Sequence, residues 1–288
     1  MATTTRRSKA KTKTAKKTTA KTTVSKAVVS AGVDKKTVQT GLSSLNTLSI
    51  IMALALAGVA GFFMNHTSYQ LFTGLLTKDE LASKTTTVFV PAVHAVYDLE
   101  LRWALVAILI LSAIVPLLYL TRLKRQYADT LKSKVNLMRW IDMAVISALM
   151  VEVIALVSGV QDIATLKLIG VFIGVTCVLG WLSDRQNATG TKPVWTTYVV
   201  SLVTGALPWL LIATYAGGTL LWGMVRSPWW VYALYGTTVV SFIGYIMNQM
   251  RHIKRRQAYE VTERNALQIS LFAKIAFAVI LIVGLYKK

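Results

Sequence analysis

One lysine of this 288-residue chain is set apart by its surroundings. Lys274 lies in QISLFAKIAFAVILIVGLY, 12 residues before Tyr286. In a helix rising 1.5 Å per residue, that is a depth of about 18 Å. A lysine stem of about 6 Å does not reach an interface from there. A charged amine at the centre of a bilayer costs about 2.5–3.5 kcal/mol on insertion scales. Something must offset that cost: an ion pair, a proton relay or a covalent modification. Burial also favours the neutral, nucleophilic amine, which makes a desolvated lysine a good former of Schiff bases.

A buried cation calls for a nearby anion. The sequence suggests two intramembrane acids, Asp142 and Glu152, both in the third apolar run. They are ten residues apart. On one helix that means about 15 Å along the axis and about 80° of azimuth, so both do not touch one nitrogen. Asp142 follows Arg139 and Trp140 in NLMRWIDMAVISALM; Arg139, one turn earlier, is placed to pair with Asp142 or with lipid headgroups and is, with Glu152, a candidate for a proton path. Glu152 sits in LMVEVIALVSG, an otherwise apolar stretch. It reads either as a proton-path group or as a protonated glutamate bonded to a neighbouring helix. The residues alone leave the choice of counterion open.

Seven apolar runs must position these groups, at 43–64, 103–121, 138–159, 166–182, 194–217, 228–249 and 265–286. Each approaches the roughly 20 residues that cross a hydrocarbon layer of about 30 Å. None alternates as barrel strands do, so an all-α bundle of seven transmembrane helices is expected. Composition agrees, with 54% hydrophobic and only 15% charged residues, against about a quarter charged in a soluble domain. The domain expected over 43–288 follows a basic tail, 1–42, that holds 11 Lys and Arg against the single acid Asp34. Such a tail buries too little apolar surface to fold alone, and its charge suits anionic lipid headgroups. It has no folded module behind it for nucleic acid. The long first connection contains KTTTVFVPAV, whose β-branched residues predict a short β segment and a cap or dimer contact.

Topology follows from the positive-inside rule. With a cytoplasmic N-terminus, 23 of the 32 Lys and Arg residues fall in inside segments and 7 in outside ones. Without the tail the inside still leads, 12 to 7. The C-terminus and the first connection are then extracellular. A lone cysteine, Cys177, and three scattered histidines offer no metal site. No Gly-rich phosphate loop or Ser/His/Asp set argues for an enzyme.

Several segments, in order and at similar spacing, resemble those of the heliorhodopsins. They are YDLELRW (97–103), RWIDMAVISALM (139–150), GALPWLLIATY (205–215), PWWVYAL (228–234) and SLFAKIAFA (270–278). The resemblance covers roughly 43 to 286. It implies an inverted seven-helix photoreceptor with all-trans retinal in Schiff-base linkage to Lys274. Asp142 falls at the family's counterion position, usually a glutamate, and Ser270 at that of a serine near the Schiff base. Trp209, Pro208, Phe242 and Gly180 fall where the family lines the polyene. Homodimers are also implied, while the signalling partner stays open. The first span has no histidine and Pro116 stands where many members have a second-span histidine, so the polar cavity is expected to be rebuilt. Glu152 replaces an apolar residue, so light-gated proton transport through Asp142 and Glu152 is the alternative to sensing.

Overall fold

The computed structural model describes residues 35–78, 89–190, 192–223 and 226–286, with side chains from residue 40 onward. Most of the tail, and residues 84–88 of the expected β segment, lie outside them. The chain divides into two units, Met1–Gly41 and Leu42–Lys288, and the bundle belongs to the second. In chain order the elements are α1 (Lys35–Phe63), β1 (Ser68–Lys78), β2 (Phe89–Glu100), α2 (Leu101–Leu120), α3 (Lys124–Ser133), α4 (Leu137–Val157), α5 (Ile163–Thr189), α6 (Thr196–Trp222), α7 (Trp229–Ile253) and α8 (Tyr259–Gly284). Among the described residues, all these helices except α3 are long and apolar enough to cross a membrane, α1 over Thr40–Phe63.

Helices form there because a hydrocarbon-spanning segment must satisfy its own backbone. Pro116 and Pro208 lie inside α2 and α6, as bundles allow where neighbouring groups take up the freed carbonyls. Asn136 caps α4 by accepting from the Arg139 amide. Asp162 caps α5, accepting from both the amide and the hydroxyl of Thr165. These bonds, with the Thr165 hydroxyl foremost, hold the Asp162 carboxyl below the ordinary range.

Helix ends depart from the apolar windows. The fourth span, expected as the short run 166–182, is a 27-residue helix whose polar last turns continue through Thr189. The seventh begins at Tyr259 rather than 265. Hydropathy marks where lipid contact stops, whereas a helix continues as long as its backbone bonds and inner face find partners. Two acids consequently enter the bundle. Helix α3 was not expected at all. Its Tyr127 is buried, and its ring stacks on Tyr119 with centroids 4.2 Å apart.

The strands β1 and β2 form an antiparallel ribbon running from Ser68↔Glu100 to Lys78↔Phe89, with a register shift between Leu71 and Phe72. It is longer than the short segment expected. The Phe72 amide bonds to the Gln161 carbonyl at 2.9 Å, and the Asn65 amide to the Leu285 carbonyl at 2.7 Å. The ribbon thus sits where α4 and α8 end, opposite α3. The bundle core includes Leu105, Leu109, Ile154, Ile169, Leu234 and Leu281. Exposed apolar residues such as Ile51, Val203 and Leu210 form the outer face. In lipid, packing and interhelical hydrogen bonds rather than hydrophobic transfer hold such helices together.

Candidate functional site

Helix α8 carries Glu263, Leu267, Ser270 and Lys274 at intervals of four, three and four residues, which stacks them on one face. Helix α4 carries Arg139 and Asp142 one turn apart. Where these faces meet, Lys274 Nζ donates to Asp142 Oδ2 at 3.1 Å. The two side chains are 12% and 13% exposed, so the amine lies inside the bundle with a carboxylate at hydrogen-bond distance. Beside the pair is a cavity whose polar lining includes Asn46, Ser49, Tyr119, Arg139 and Ser270. Pro116 lines it too, so helices α1 and α2 present an amide, a hydroxyl and a proline to the cavity. Ser270 lies within side-chain bonding reach of Tyr245, whose hydroxyl also donates to the Ala266 carbonyl at 3.3 Å.

Arg139 makes neither pairing expected of it. Its guanidinium turns from Asp142 and from the headgroups. Nη1 donates to Glu263 Oε2 at 2.7 Å and Nη2 to Asp184 Oδ2 at 2.8 Å. Both acids are fully buried, at 0% exposure, so the two intramembrane acids read from the sequence are joined by two more. Asp184 also accepts from Trp140 Nε1 at 2.8 Å and from Gln249 Nε2 at 2.5 Å. Glu263 Oε1 accepts from Asn136 Nδ2 at 2.7 Å, and the Asn136 carbonyl accepts from Tyr119 at 2.6 Å. His252 Nε2 stands 3.9 Å from Asp184 Oδ1.

Sequence reading missed Asp184 and Glu263 because it placed both in polar connections outside the spans. A signal was present. Asp184 continues the inner stripe Ile173, Cys177, Gly180 on α5, and Glu263 continues the Lys274 stripe on α8. Period-3.6 continuity past the apolar window marks such residues.

Glu152 is elsewhere. Its carboxylate fills the space beside Gly170 on α5 that a side chain there would need, with Lys167 as its electrostatic partner. Ten residues from Asp142 along α4, it does not line the Lys274 cavity. Of the residues expected along a polyene, Gly180 is buried and faces the Trp140 ring, leaving no room for a Cβ. Phe242 Cζ would lie 3.4 Å from a Cβ at Gly205. Pro208 is buried, and Trp209 packs on the core. The interior therefore offers a primary amine paired with an acid and, elsewhere, aromatic rings set against glycines.

The fold is that of a rhodopsin-type seven-helix membrane protein. The crystal structure of the transmembrane domain of Salpingoeca rosetta rhodopsin phosphodiesterase matches with a TM-score of 0.61 at 13% identity, covering 87% of this chain and 84% of that one. The family model for heliorhodopsin matches residues 42–285, and the chain belongs to that family. No curated protein sequence matches it. Family and fold together support a retinal-binding rhodopsin that is an integral, multi-pass membrane protein.

Proposed function

We propose that the chain is a light-sensing photoreceptor whose Lys274 bears all-trans retinal in Schiff-base linkage with Asp142 as counterion. The observation that carries this reading is the 3.1 Å contact between Lys274 Nζ and Asp142 Oδ2 inside the bundle. Retinal, when bound, supplies light absorption and isomerisation. The protein's own groups do the rest. Asp142 holds a proton at Nζ, because a carboxylate beside a buried nitrogen favours its charged form. Aspartate is one methylene shorter than the family's usual glutamate, so the charge sits closer to its own helix. Ser270 lies one turn below, positioned by Tyr245, and offers a hydroxyl to the cavity. A change in the position of the Nζ proton relative to Asp142 shifts the balance between two packings of the bundle.

Sensing is favoured over proton transport through Asp142 and Glu152, because Glu152 faces Gly170 and Lys167 instead of the cavity. The reading is non-enzymatic, with a cytoplasmic N-terminus by charge count and a second copy contacting the ribbon through exposed Leu76, Phe89 and Val93.

A visible spectrum tests the reading. Purified protein given all-trans retinal should form a pigment that hydroxylamine bleaches under light. Asp142→Asn should shift its absorption maximum and let the protonated form be lost at lower pH. A pigment whose pH titration is unchanged by Asp142→Asn removes Asp142 as counterion. No pigment at all removes the photoreceptor reading.

A further inference from the structure

The cluster around Arg139 carries one negative charge too many. Asp184 and Glu263 are two carboxylates with no exposed surface, and Arg139 is the single cation bonded to them. Adding the neighbouring Lys274–Asp142 pair changes nothing, since that pair is neutral in itself. Bulk solvent does not reach these oxygens to spread the charge. Fixed dipoles from Asn136, Trp140 and Gln249 only partly replace it.

Every carboxylate oxygen in the cluster already accepts from an N–H group. A proton added to either acid would remove the charge that strengthens those bonds. Beside them is one basic atom with no such bond to weaken. His252 Nε2 is buried, has no hydrogen-bond partner, and lies 3.9 Å from Asp184 Oδ1. That gap is too long for a hydrogen bond and short enough for an ion pair. The ring is steadied by an edge contact with Tyr259, at 5.3 Å between centroids.

We propose that His252 is the internal proton acceptor of this protein, taking up a proton on Nε2 and closing an ion pair with Asp184. The excess charge of the cluster favours that proton, and the resulting imidazolium leaves the cluster neutral. Other groups bear on the site. Burial opposes a charge on the ring, Arg139 faces it from α4 and Tyr259 from α8, and Lys134 and Arg255 contribute positive potential from the connections.

A polar route joins this site to Lys274. The cavity beside Lys274 and Asp142 is also lined by Tyr119 and Arg139. Tyr119 bonds to Asn136, Asn136 to Glu263, and Arg139 bridges Glu263 to Asp184. A proton leaving Lys274 Nζ leaves its bonding pair on that nitrogen, and the Nε2 lone pair of His252 forms the new N–H bond. The total charge is unchanged, and the unbalanced negative charge passes from the cluster to Asp142. The cavity presents no histidine of its own among its lining residues, so the acceptor lies one shell farther out, at the α3 end.

The role under illumination rests on the photoreceptor reading, whereas proton uptake at His252 does not. The test uses full-length protein in lipid with 15N-labelled histidine. His66→Gln and His94→Gln leave His252 as the sole reporter. Lowering the pH in the dark should convert its neutral imidazole to imidazolium. Asp184→Asn should shift that conversion to lower pH by a unit or more, the mark of a lost partner anion. With retinal bound, continuous light should produce the imidazolium signal as the Nζ proton is lost, and His252→Gln should slow return of the dark spectrum several-fold.

A His252 that stays neutral until the protein unfolds in acid overturns the proposal, with or without pigment. It also fails if Nζ deprotonates in light while His252 remains neutral, or if a pH dye in the bulk collects the proton. Should Asp184→Asn not fold, Glu263→Gln, which also removes the excess charge, provides the same comparison. Absence of pigment defeats the photoreceptor reading alone, because the dark titration still reads His252.

Discussion

Two ion-pair sites join the same helices, α4 and α8, and they are built on opposite principles. The Lys274–Asp142 pair has one polar contact at 3.1 Å, side chains slightly exposed, and a cavity beside it. The Arg139 cluster has two charge-assisted bonds from the guanidinium at 2.7 and 2.8 Å, three further donors, and acids with no exposed surface. Charged groups with several short bonds are held in one arrangement. A pair with one contact and adjoining free space can rearrange when its nitrogen changes. The dense site ties α4, α5 and α8 together, and the sparse one lies about three turns along α8.

The comparison can be broken at either site. Lys274→Ala should have the largest effect, abolishing any visible pigment formed with all-trans retinal while leaving the helical circular dichroism intact. Colour surviving this change would separate the chromophore from the sparse site altogether. Arg139→Ala should do the reverse and strike stability first. It leaves two carboxylates buried without their cation, a change that typically costs about 3–5 kcal/mol. Thermal unfolding in detergent should record a large loss, and a melting temperature close to the parent's would show that the cluster does not hold the helices.

Gly180→Ala probes the link between the two sites. The added Cβ meets the Trp140 ring, and overpacking of that kind costs about 1–3 kcal/mol. The ring must shift, and its 2.8 Å bond to Asp184 with it. Melting should fall by less than for Arg139→Ala, with a small spectral shift if Trp140 also borders the chromophore. Glu152→Gln should be the mildest, with pigment absorption unchanged and no photocurrent in either form. A light-driven current in the parent that this substitution removes would restore the proton-transport alternative.

Much of the bundle is legible in the residues. Seven apolar runs predict seven spans, and the depth of Lys274 follows from counting to Tyr286. Ser270, four residues before Lys274, shares its helix face by spacing alone, whereas Asp142 could be placed beside Lys274 only through the resemblance to a family, because spacing on one helix does not say which neighbour it faces. The ribbon was only partly visible, as β-branched residues in a long connection. Helix α3, with a polar sequence and one buried ring, gave no hydrophobic signal of its own.

What the sequence by itself determined is the set of terms that depend on local composition. Apolar runs must be helical in lipid, an amine that deep requires an offset, and the surplus of positive charge assigns the expected sides of the membrane. The tertiary structure decided which charges meet. Arg139 reaches Glu263 and Asp184, 124 and 45 residues away, while Asp142 meets Lys274 across 132 residues. Such pairings depend on how helices rotate and pack side by side, and on helices that run past their apolar windows. The first is not encoded in the spacing within a single segment, and the second shows there only as an inner stripe that continues past the apolar run.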